Sequence, residues 1–139
     1  MDNENTADRG RNNLVIVNDA PYRIKKKKER LLVQKGIENI LLRIDDIAFF
    51  YTENKIVYVI DKLDKKYLVY SNLCELEEDL DPQVFFRANR QYIISINFIK
   101  SYRAYEKVKI KVDMTSESGH WIVISQETAP DFRTWIYEA

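Results

Sequence analysis

From Arg30 onward the chain alternates between short apolar runs and polar turns. The runs are Leu31–Val33, Ile40–Ile44, Ile47–Tyr51, Ile56–Ile60, Tyr67–Tyr70, Tyr92–Ile96, Phe98–Tyr102, Lys107–Val112 and His120–Ile124. They are rich in β-branched and aromatic residues, which fit a pleated, half-buried surface, and each is too short for a stable helix. Lys107–Val112 alternates lysine with an apolar residue, so it predicts a strand with one buried and one lysine-coated face. Further upstream, Leu14–Val17 is an isolated apolar run that predicts a strand pairing at a sheet edge or packing from an N-terminal extension.

Two segments have helical spacing instead. Asn72 with Glu75 three residues on is a capping-box pattern, and Leu73, Leu76 and Leu80 then share one stripe. Asp81-Pro82 ends this helix, because the residue before proline disfavours the α region. A second helix is expected from Thr128, with Pro130 in its first turn, Asp131 as a reciprocal cap, and an apolar face of Phe132, Trp135 and Ile136. The fold class is therefore mainly β, with one mid-chain helix and a short C-terminal helix.

Phe85 to Ser95 reads Phe-Phe-Arg-Ala-Asn-Arg-Gln-Tyr-Ile-Ile-Ser. One continuous strand would put Arg90 on the same face as Phe86, Ala88, Tyr92 and Ile94, and an unpaired buried guanidinium is very costly. A break between Ala88 and Gln91 avoids this and projects Arg90 from a short loop on a rigid sheet. Donors presented this way suit guanine edges or phosphates. A solvated connection with no specific role remains the alternative.

Composition narrows the classes. The chain has 139 residues, enough for one domain plus a tail. One cysteine, Cys74, and one histidine, His120, leave no disulfide framework and no multi-cysteine or histidine-rich metal site, so no metal and no cofactor are expected. The lone thiol fits a reducing cytoplasm. No apolar run reaches the length of a membrane span, and no secretory pattern follows Met1. Phosphate-cradling, nucleophile-elbow and zinc-protease motifs are missing, which argues against an enzyme. Cys74 is expected on the buried side of the acidic helix, and His120 in a turn or at the surface.

Net charge is zero, but the charges are segregated. Arg23–Arg30 holds six bases and one acid, and Val84–Val112 holds seven bases and one acid. Ser71–Asp81 holds five acids and no base. A local patch can attract phosphate whatever the net charge. Lys25–Lys28 is either a solvated linker or a phosphate-contacting arm, and residues 1 to 12 read as a disordered or linker segment. Among nine tyrosines, Tyr102 and Tyr105, beside Arg103 and Lys107, could stack on bases.

The ordered set Asp46-Ile47-Ala48-Phe49-Phe50, the helix Leu73–Leu80, Asn89-Arg90-Gln91-Tyr92-Ile93-Ile94-Ser95 with Ile99, and Ile124-Ser125 resembles the LytTR DNA-binding domain, an output module of many bacterial response regulators. The resemblance covers about residues 30 to 137, so residues 1–29 are taken as a flexible N-terminal or linker segment and 30–139 as the domain. It implies several small antiparallel sheets of about ten strands, with DNA read by inter-strand loops in successive major grooves. The base-contacting set it implies is Arg90, Asn89, Gln126, Asn54 and Lys55. The phosphate-contacting set is Arg87, Gln91, Arg103, Lys107 and Lys109.

The chain departs from the family pattern in three places. Asn89 stands for the usual histidine, Gln91 for serine and Gln126 for arginine; glutamine could read adenine instead of guanine. The expected partner is double-stranded DNA carrying imperfect direct repeats, with a homodimer on DNA as a hypothesis. No membrane partner is expected, and a receiver domain does not fit in the residues that precede the β domain. Two rivals stand beside this: a single-strand nucleic-acid binder using Tyr102 and Tyr105, and a protein-interaction module using the acidic helix.

Overall fold

A computed structural model of the protein describes residues 28–139, together with the backbone of two short strands nearer the N-terminus. Those strands, β1 (Leu14–Val17) and β2 (Ala20–Arg23), form their own antiparallel pair. The expectations for residues 1–12 and Lys25–Lys27 lie outside the described residues.

From Arg30 there are ten strands in two antiparallel sheets. The larger contains β3 (Arg30–Lys35), β4 (Glu38–Arg43), β5 (Ile47–Glu53), β6 (Ile56–Asp61), β7 (Lys66–Val69), β8 (Phe85–Arg87) and β9 (Tyr92–Ser95), in the order β4-β3-β7-β6-β5-β9-β8. The smaller has β10 (Ile99–Tyr105), β11 (Lys109–Met114) and β12 (Ile122–Ile124) in sequence order. The helices are α1 (Leu73–Asp79) and α2 (Ala129–Glu138).

The larger sheet separates two cores. On one face Leu31, Val33, Phe50, Val57, Val59 and Ile93 pack against Leu73 and Leu76 of α1 and Leu80 at its C-terminal cap. On the other, Phe49, Tyr51, Ile60 and Ile94 meet Ile110, Val112, Ile122 and Ile124 of the smaller sheet, with Phe132 of α2 closing the cluster. The central strand β5 serves both cores, and so Ile47 to Tyr51 are all buried. A strand covered on both faces reads as a continuous apolar run and not as alternation.

α1 starts as its sequence implies. The Asn72 side chain accepts from the Glu75 N–H at 2.8 Å, and the Glu75 carboxylate accepts from the Asn72 N–H at 3.1 Å. Cys74, however, is exposed. It follows Leu73 by one position, about 100° around the helix, which turns it off the leucine stripe. The second cap also differs from expectation: Thr128 has helical dihedrals and makes no side-chain cap bond. Instead the Ser125 carbonyl accepts from the N–H groups of Thr128 (3.2 Å) and Ala129 (2.9 Å), so the turn itself leads into the helix.

Two further expectations are corrected. Lys107 and Val108 belong to a turn, β11 begins at Lys109, and Lys111 is buried. The face that carries Lys111 is not open, because the neighbouring side chains of Asp113 and Trp121 close over it. The Lys111 Nζ bonds the Asp113 carboxylate at 2.5 Å and lies 4.5 Å from the Trp121 ring centroid. His120 is half-buried and precedes β12; its ring packs between the sheets against Phe49 and Tyr51.

Candidate nucleic-acid interface

Backbone topology gathers most of the candidate residues at strand ends, while Arg103 lies within β10 opposite Lys111. Asn54 and Lys55 join β5 to β6 with φ of 53° and 67°, closed by the Glu53–Ile56 pair. Two consecutive positive φ values define the tight hairpin turn whose twist matches its strands, and asparagine tolerates that region well. Both side chains are exposed.

β8 and β9 are joined by Ala88–Gln91, where the sequence reading placed the strand break. Tyr92 pairs with Tyr51, and the Gln91 carbonyl accepts from the Thr52 N–H at 3.0 Å. This loop therefore lies beside the end of β5 that leads into the Asn54–Lys55 turn. Arg90 and Gln91 are exposed. No ion pair engages Arg90 among the described residues.

Arg87 and Asn89 behave differently. The Arg87 guanidinium donates from Nε to the Asn89 carbonyl at 2.7 Å and from one terminal nitrogen to the Arg90 carbonyl at 3.1 Å. Its other terminal nitrogen meets the Glu77 carboxylate of α1 at 3.0 Å. The Asn89 carboxamide accepts from the Gln91 N–H at 2.8 Å and donates to the Val123 carbonyl of β12 at 2.9 Å. Both side chains are occupied within the protein.

That last bond brings in the third segment. Ser125–Thr128 links β12 to α2, with Gln126 exposed. Ser125 and Thr128 line an open cleft of about 750 Å³ together with Arg87 to Gln91. On the smaller sheet Ile110 pairs with Ile124, so the β10–β11 turn at Glu106–Val108 lies at the same end as Ser125 and Gln126. Lys107 (φ 69°) is exposed there. Lys109 pairs with Glu106 at 3.0 Å, which raises its pKa. Arg103 is 3.9 Å from Asp113. Of the ten sequence-nominated residues, Asn54, Lys55, Arg90, Gln91, Lys107 and Gln126 present exposed side chains without an ion pair among the described residues.

Sequence reasoning missed the aromatic support behind these loops. Tyr51 stacks on Tyr92 with centroids 5.9 Å apart, and Tyr58 and His120 lie 5.4 Å and 4.4 Å from Tyr51. The Lys66 ammonium sits 4.1 Å from the Tyr58 ring centroid. The hydrogen bond with Tyr51 is the main influence raising its pKa. The signal was the strand register, which places Tyr51 opposite both Tyr58 and Tyr92; the sequence does not display it. Tyr102 and Tyr105, the tyrosines nominated for stacking, instead pack edge-on against Phe132 and Trp121.

The described residues form two packed antiparallel sheets with exposed polar side chains on loops at strand ends. The LytTr DNA-binding domain family model matches residues 38–137, and the chain belongs to that family, a class of DNA-binding domains in transcription regulation. Over 109 residues the chain is 27% identical to the transcriptional regulatory protein NatR of Bacillus subtilis (strain 168). That match covers 75% of this chain and 46% of the relative, so it spans about half of the relative's length. A solved LytTr DNA-binding domain, from a Bacillus cereus protein described as a methyl-accepting/DNA response regulator, superposes with a TM-score of 0.70 at 21% identity. It covers 78% of this chain and 97% of its own, and it shares the fold.

Proposed function

We propose that this domain reads a specific sequence in double-stranded DNA through its inter-strand loops, as the output module of a two-component response regulator. The observation that carries the reading is the placement of Arg90, exposed at the tip of a loop whose backbone is held on several sides. A bidentate arginine–guanine contact is worth roughly 1–3 kcal/mol of discrimination. Gln126 and the Asn54–Lys55 turn supply further contacts in adjacent major grooves, and Gln126 favours adenine. Lys107 attracts phosphate without reading sequence. Paired direct repeats, each bound by one copy, complete the proposal.

Selection from a randomised duplex pool tests it, followed by titration of recovered duplexes with wild type and Arg90→Ala. Enrichment of a motif whose preference relaxes at defined bases in Arg90→Ala supports direct readout. Salt-sensitive binding without enrichment would remove it.

A further inference from the structure

Asn89 occupies the loop position next to the proposed reader, and both ends of its side chain are bonded to protein. A carboxamide has an acceptor oxygen with two lone pairs and a nitrogen with two N–H donors, and each end of this one makes a bond within the protein. Here the oxygen takes the Gln91 N–H at 2.8 Å, and the nitrogen reaches the Val123 carbonyl at 2.9 Å. The two bonds do different things. The first closes the turn that projects Arg90, in the manner of asparagine side chains that imitate a backbone turn. The second joins residues 34 apart in sequence and crosses from the larger sheet to the last strand of the smaller one, two residues before Ser125.

Arg87 completes the support from the opposite side. It donates to the Asn89 and Arg90 carbonyls while Glu77 anchors it to α1. With Thr52 donating to the Gln91 carbonyl, three successive loop carbonyls each have a donor. An asparagine tied to protein at both ends is held in the orientation those bonds set and is not free to swing its carboxamide onto an adenine edge. The Arg87 guanidinium is likewise anchored by two carbonyls, and its charge is partly balanced by Glu77, which weakens its pull on phosphate.

We propose that Asn89 is a positioning residue, not a base contact: its carboxamide locks the Arg90 loop to β12, so that Arg90 and Gln126 move as one rigid unit, with Arg87 and Glu77 bracing the same loop from α1. This rests on the DNA-reading proposal for its functional consequence, but the lock itself is a property of the free protein. Holding readers in fixed relative geometry removes the ordering cost they would otherwise meet on binding.

The test separates the two. Amide hydrogen exchange of DNA-free wild type, Asn89→Ala and Asn89→Ser is followed at Gln91 and across residues 121–127. Asn89→Ser can still close the turn but is too short to reach Val123. Expected are exchange faster by about tenfold at both places in Asn89→Ala, and at residues 121–127 alone in Asn89→Ser. On a selected duplex, both variants should weaken binding with an unchanged salt slope and unchanged base preference. Arg90→Ala and Gln126→Ala should be coupled in wild type and additive in Asn89→Ser. Unchanged exchange in both variants would overturn the lock. Unchanged exchange with preference relaxed at one base would instead make Asn89 a base contact. Altered exchange in a protein that selects no duplex would leave the lock standing and remove the DNA reading.

Discussion

The Tyr92 hydroxyl lies 2.7 Å from Nδ1 of His120, tying β9 of the larger sheet to the segment that enters β12. His120 is further enclosed by Phe49 at 4.9 Å and Tyr51 at 4.4 Å between ring centroids. Burial, then the nearby Lys66 cation, push its pKa below the ordinary 6.5, against weaker opposing effects from Glu53 and Asp64. The folded state therefore holds the imidazole neutral, and the unfolded chain takes up the proton first. Stability attached to His120 is complete above about pH 6.5 and is lost as pH falls through its lower folded value. Thermal unfolding between pH 8 and 5 should show a falling Tm below about 6.5, and His120→Gln should flatten that limb. An unchanged limb in His120→Gln would show that other groups cause it.

Phe132 links α2 to the second core. It is fully buried and meets Phe86 at 5.6 Å, Trp135 at 5.9 Å and Tyr102 at 5.1 Å between ring centroids. Truncation to alanine removes that area and leaves a cavity that rigid strands cannot close, at a cost of about 3–5 kcal/mol. Denaturant unfolding should show a lower midpoint. A loss under 1 kcal/mol would mean that α2 adds little to the core.

The strand runs, the capping box and the break at Ala88–Gln91 were legible because each rests on local chemistry. Hydrophobic runs, an Asn–Glu spacing and a costly buried arginine all speak within a few residues. What was not legible depends on neighbours distant in sequence. Lys111 alternates like a surface lysine, yet its strand lies between β10 and β12 and its ammonium finds Asp113 and Trp121. Asn89 and Arg87 carry donors that suit DNA, but Val123 and Glu77 claim them across the fold. The LytTr resemblance pointed to the loops; only the register and bonding distinguish the exposed polar side chains there from those bonded within the protein.

The same distinction predicts unequal lysines. Lys55 and Lys107 sit on turns with no ion pair among the described residues, whereas Lys109 is held 3.0 Å from Glu106. Each phosphate neutralised contributes about 0.9 to the slope of log affinity against log salt. Lys107→Gln should reduce the slope by about that amount on any duplex without altering base preference, whereas Lys55→Gln, in the turn proposed to enter a major groove, should also alter preference at defined bases. Lys109→Gln should change the slope less, because its charge is already partly balanced. Equal slopes for all three variants and wild type would place phosphate elsewhere on the surface.

Lys111 gives a final, opposite-signed case. A buried cation must recover its lost hydration, and here it has Asp113 at 2.5 Å, the Val112 carbonyl at 3.3 Å and the Trp121 face. Such pairs often do no better than a well-packed apolar side chain of similar volume. Lys111→Met should therefore leave stability within about 1 kcal/mol of wild type, or raise it. Asp113→Asn strands the cation instead and should destabilise, by roughly 1 kcal/mol because solvent reaches the carboxylate and weakens the pair. The Lys111 hydrogen bond, helped by the Lys111 and Arg103 charges, holds the Asp113 pKa below its ordinary 3.8. Stability from that carboxylate is present above about pH 3.8 and lost as pH falls through the lower folded value, a limb separate from that of His120. Lys111→Met should shrink this acid limb while leaving the His120 limb intact. If Lys111→Met and Asp113→Asn destabilise equally, the ion pair itself stabilises the smaller sheet.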